Sequence, residues 1–114
     1  MEVRIIHQKI SQKELEQITK LNYGDMAKGV ADLSRKIIAL GGELHADAQA
    51  VLLQQGSRQE SLWGFNIYSN RDRESRIEYT SLINIRPAHG NRAIEIQDLQ
   101  LRKHIKDIID ALIE

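Results

Sequence analysis

Residues 27–44 read AKGVADLSRKIIALGGEL. Runs rich in apolar and β-branched residues flank a polar DLSRK, a pattern that predicts two antiparallel strands, 28–33 and 36–44, joined by a turn near Ser34. No Asn-Gly or Asp-Gly pair fixes the register of that turn. Gly41 and Gly42 in the second strand predict a bulge or a close approach of another backbone.

Upstream of this hairpin, Val3 to His7 reads as a short strand and the next residues as a helix start. Ser11 stands three residues before Glu14, which is the spacing of a capping box, and Ile10 and Leu15 occupy the two positions of a hydrophobic staple. The helix is expected to run from Gln12 to about Leu21 and to stop at Gly24. Downstream, DAQAVLLQQ (47–55) predicts a short helix with Asp47 as N-cap and Gly56 as its stop. SLWGFNIYS (61–69) and IEYTSLINIRP (77–87) alternate with period two on either side of a polar loop, so they predict a second hairpin that Pro87 ends. The charged loop from Arg71 to Arg76 reads as its solvated tip. A final amphipathic helix begins at the N-cap Asp98 and carries Leu101, Ile105, Ile108, Ile109 and Leu112 on one stripe.

The order β-α-β-β-α-β-β-α over a single domain, 1–114, predicts an α+β two-layer sandwich: a mainly antiparallel sheet with its helices on one face. At 114 residues the chain is long enough to bury roughly two-thirds of its unfolded surface without staples. It contains 16 Lys plus Arg, 16 Asp plus Glu and no cysteine. A net charge of zero supplies no field for nucleic acid or anionic lipid, so neither nucleic acid nor membrane is an expected partner. The absence of cysteine excludes disulfides and thiolate chemistry and suits a cytoplasmic location. Neutrality also leaves self-association electrostatically unopposed, and a homodimer is the expected state. No cofactor is expected.

Three stretches are candidates for chemistry. In GGELHADAQ (41–49), Glu43, His45 and Asp47 share one side of an extended chain, as a cation site or an acid/base pair requires. A helix cap at Asp47 breaks that alternation, so no metal site is expected. In NIRPAHGNR (84–92), Asn84, Arg86, Asn91 and Arg92 surround a Pro87/Gly90 loop, the form of a small-anion site or simply of a turn with Gly90 at positive φ. In QGSRQESLWGFN (55–66), Arg58, Asn66 and the lone tryptophan Trp63 are further candidates for ligand contact. Ser57 has no nucleophile-elbow glycines around it.

GGELHAD, the QGS-x-Q-x-x-LWG turn and the NIRP-x-x-GNR loop together resemble a small bacterial family catalogued only as a domain of unknown function. The resemblance covers nearly the whole chain and implies no activity. Two readings stand at this point. One is a small soluble cytoplasmic protein that self-associates and has a polar, anion-binding pocket. The other is an enzyme on a small anionic substrate, with Glu43 or His45 as acid/base and Arg86 and Arg92 as anion clamp.

Overall fold

The computed structural model describes residues 1–114. Five antiparallel strands, β1 (Val3–Ile6), β2 (Met26–Asp32), β3 (Ile37–Gly41), β4 (Leu62–Tyr68) and β5 (Ile77–Glu78), form one sheet in the order β1-β3-β2-β4-β5. Three helices pack on it: α1 (Gln12–Lys20), α2 (His45–Gln54) and α3 (Leu99–Leu112). The α+β class and the element order are those the sequence predicts.

The central hairpin closes on Asp32. Its Oδ1 accepts hydrogen bonds from the Ser34 and Arg35 N–H groups at 2.9 and 3.0 Å, and Lys36 takes a positive φ of 57°. An Asx turn thus supplies the reversal that an Asn-Gly pair would otherwise give. At Gly41 (φ +116°) a Cβ would stand 2.1 Å from the Glu2 carbonyl oxygen. This is the close backbone approach expected there, and it lets β1 lie against β3.

The placement of the helices departs from expectation. Ala31, Ile38, Leu40, Trp63, Phe65 and Ile67 form one core with residues of α1 and α3, whereas Val30, Ile37, Ala39 and Leu62 form a second with Ala48 and Leu52 of α2. Helices therefore cover both faces rather than one. The cause lies in β3, where every residue from Ile37 to Gly41 is buried. A strand with no polar alternation needs cover on both sides.

Helix starts follow the predicted caps at two of three places. Ser11 Oγ accepts from the Glu14 N–H, and Asp98 Oδ1 accepts from Gln100 and Leu101. For α2 the N-cap is Leu44 instead of Asp47, which sits in the first turn and accepts from the Leu44 N–H at 2.9 Å. His45 thereby becomes the first residue of α2. The second hairpin is also shorter than predicted. Between Glu78 and α3 the chain makes a bridge from Thr80 to Glu95, 3-10 turns at Leu82–Asn84 and Pro87–His89 and a bridge from Arg86 to Asn91, but no further strand. Arg76, expected in a solvated tip, is buried: its guanidinium donates to the carbonyls of Ile113 and Glu114 and to Asp110 Oδ1, closing the C-terminal end of α3.

Candidate functional site

On the α2 face a polar row crosses the sheet. Lys28 in β2 pairs with Asn66 in β4, which pairs with Glu78 in β5. Asn66 Nδ2 donates to Glu78 Oε1 at 3.3 Å, the Tyr68 hydroxyl donates to the same oxygen at 2.8 Å, and Asn66 Oδ1 is buried with no partner. Above this row stands His45 at the start of α2. Lys28, His45, Asn66, Thr80 and Ser81, with apolar Leu44, Leu82, Ile83 and Ile94, line a cleft of about 330 Å³. Leu44, Leu82 and Ile94 are exposed at its mouth. Convergent polar groups inside an apolar rim are the usual composition of a small-molecule site.

His45 is buried, and its Nε2 lies 2.8 Å from the carbonyl oxygen of Phe65. A carbonyl oxygen only accepts, so Nε2 carries the proton and Nδ1 keeps a free lone pair. Burial pushes the imidazole below its ordinary pKa, and the charge of Lys28 acts in the same direction, against the opposing Phe65 bond and the neighbouring Asn66 amide. The positive end of α2 adds to this preference for the neutral ring. The group is a neutral base at neutral pH.

A second cleft, of about 320 Å³, is lined by Gln59, Glu60, Arg86, Pro87, Ala88 and His89. Arg86 is 9% exposed, its guanidinium carbon is 4.8 Å from the centroid of the Trp63 ring, and neither Nη1 nor Nη2 has a hydrogen-bond partner. The loop that holds it is tightly tied. Arg86 and Asn91 exchange backbone bonds of 2.7 and 3.1 Å across Gly90 at φ +78°. Asn91 Nδ2 reaches the carbonyls of Asn84, Ala93 and Glu95, and its Oδ1 accepts from Gln97.

The chain belongs to the DUF5674 family. That family's model, described as a protein of unknown function, matches residues 4–112, and so covers both clefts and all three helices. No curated protein and no solved structure matches the chain.

Membership brings no residue roles with it, so each sequence candidate is placed by geometry alone. His45 and Asn66 meet in the first cleft, and Trp63 and Arg86 meet at the second. Asn84 and Asn91 are buried scaffold, wired to backbone on all sides. Arg58 is exposed and lies 3.7 Å from Glu60. Arg92 is exposed and lines neither cleft, and so is Glu43, whose carbonyl accepts from the Tyr23 hydroxyl. The four residues of the acid/base-plus-clamp arrangement are thus distributed over separate places. No three His, Asp or Glu side chains gather as potential metal ligands. Sequence reading missed Lys28 as a site residue, although a lysine inside the apolar run AKGVADL was a signal.

Proposed function

We propose that the protein is a small-ligand-binding protein of the bacterial cytoplasm, and that the His45 cleft takes a small anionic molecule with an apolar body. The observation that carries this reading is the meeting of Lys28, His45, Asn66, Thr80 and Ser81 beneath the exposed side chains of Leu44, Leu82 and Ile94. Lys28 offers the only full charge in the cleft lining, so an anionic head belongs beside it. The unpartnered Asn66 Oδ1 calls for a donor, and the rim suits a short hydrocarbon. No helix is long and apolar enough to cross a membrane, in keeping with this location. The test is a thermal-melt and NMR series with butyrate, hexanoate and octanoate. Binding at ten times Kd adds about 1.4 kcal/mol to stability. Affinity is expected to rise with chain length and to fall at least tenfold in Lys28→Ala. Unmoved resonances of Lys28, Asn66, Ile83 and Ile94 at saturating concentrations would reject the reading.

An enzyme reading is favoured by one observation, the free Nδ1 of a neutral His45. In it His45 is the general base and Lys28, rather than Arg86 and Arg92, anchors the substrate. Turnover that survives His45→Gln would exclude it.

Self-association is proposed as well. β1 lies at the sheet edge with one side unpaired, and net charge is zero. Sedimentation equilibrium giving only the 13.1 kDa species across the micromolar range would remove this proposal.

A further inference from the structure

The Arg86 cleft lies apart from the His45 cleft and shares no lining residue with it. A desolvated guanidinium without acceptors is an expensive arrangement, and an unpaired buried charge costs several kcal/mol. Burial pushes the Arg86 pKa down, and the nearby Glu60 carboxylate only partly offsets it. Yet the loop is built to hold this side chain still. The paired backbones of Arg86 and Asn91, and the four bonds of the Asn91 amide, fix where the guanidinium starts, while Trp63 covers one of its faces.

From this geometry we infer that Arg86 is the anchor of a second binding site, which takes the carboxylate group of a small molecule or chain end. With the ring stacked on one face, the guanidinium offers its edge, and the parallel N–H groups of Nη1 and Nη2 match two coplanar carboxylate oxygens. The Trp63 ring keeps the cation oriented, and the Nη edge has no hydrogen-bond partner within the chain. Glu60 selects among anions. It lines the same cleft, so a monoanion is tolerated better than a doubly charged phosphate. Both Nη atoms are closed off from solvent, so the site requires that the exposed side chains lining the cleft, Gln59, Glu60 or His89, move as the occupant enters.

Trp63 is the only tryptophan, so its emission reports directly on the stacked guanidinium. The full chain is titrated with sodium acetate and, separately, sodium phosphate, each against sodium chloride at matched ionic strength. A saturable change with acetate, absent with chloride and at least tenfold weaker with phosphate, is expected. It should disappear in Arg86→Gln and weaken about tenfold in Arg86→Lys, which keeps charge and loses the fork. Glu60→Gln, an exposed substitution that leaves the fold intact, should tighten acetate binding severalfold. A change that does not saturate, one that persists in Arg86→Gln, saturation by phosphate alone, or an unchanged or weaker affinity in Glu60→Gln would each overturn the site. If Arg86→Gln fails to fold, the Glu60→Gln result decides.

Discussion

Asn84 stands beside Gly64 in the place of a strand. Its Oδ1 accepts the Gly64 N–H at 2.8 Å and its Nδ2 donates to the Gly64 carbonyl at 3.0 Å, so one carboxamide completes the ladder where β5 has already ended. Gly64 has no side chain because the Ser81 Cβ would lie 2.5 Å from its own. Asn84→Ala should leave two buried backbone groups unpaired, at about 1–3 kcal/mol each. We expect a loss of about 2–4 kcal/mol in urea unfolding with the m-value unchanged. A loss below about 0.5 kcal/mol would mean that water or another side chain replaces the amide.

The pH dependence of stability should carry the signature of His45. Its folded pKa lies below the unfolded value of about 6.5, so the unfolded chain takes up the proton first as pH falls. The contribution of the neutral ring is fully present above about pH 6.5 and is lost through the window between that value and the lower folded one. The other three histidines, His7, His89 and His104, are exposed. Unfolding free energies of wild type and His45→Gln, measured from about pH 7.5 to about pH 5, should therefore converge toward acid. Parallel curves would show that the ring is not buried neutral.

Two of the departures from the sequence reading, the short second hairpin and the shifted cap of α2, have a local cause. Period-two alternation at Ile83 and Ile85 is the same whether a residue pairs through its backbone or a neighbour substitutes its amide, so nothing in INIRP distinguishes a strand from the turn that Asn84 makes. The Asp47 cap was misplaced for a related reason. Asp is equally suited to the N-cap and to the first turn, and here it accepts from the backbone of Leu44. What could be read was what short-range spacing encodes: Ser11 with Glu14, Asp98 with Gln100, and glycines at 41 and 90. The clefts could not, because His45 meets Asn66, and Trp63 meets Arg86, across more than twenty residues each, through the register of β4 and the path of its return loop. The buried run in β3 was the one overlooked sign that helices lie on both faces.

Asp110 ties the 71–76 loop to α3. It accepts from Arg76 Nη2 at 3.1 Å and from Lys106, with Arg73 3.6 Å away. Burial pushes the carboxyl up, but these cations together hold it below the usual carboxylate range. The stability it brings is thus present above that range and is lost as pH falls through the lowered value. Asp110→Asn removes the side-chain carboxylate from beside the buried Arg76 guanidinium, and we expect it to cost about 2–3 kcal/mol. Asp107→Asn, which breaks the exposed Lys103–Asp107 pair, serves as the control and should cost less than about 0.5 kcal/mol. Equal costs would mean that Arg76 is solvated in solution.

Gly29 and Phe65 are direct cross-strand partners at the middle of the sheet. A Cβ on Gly29 would lie 2.4 Å from Phe65 Cζ and 2.8 Å from a Leu40 methyl. Its backbone φ is not positive, so alanine meets no conformational strain there and by propensity alone would strengthen β2. Packing decides the sign, because Phe65 lies over the glycine and cannot move without disturbing a fully buried core. Gly29→Ala should destabilise by about 1–3 kcal/mol. Phe65→Leu alone opens space and should also cost stability, but the double variant should lose less than the sum by at least about 0.5 kcal/mol, since the methyl fills the volume vacated by the ring. Additive losses in a denaturant double-mutant cycle would place the two side chains out of contact.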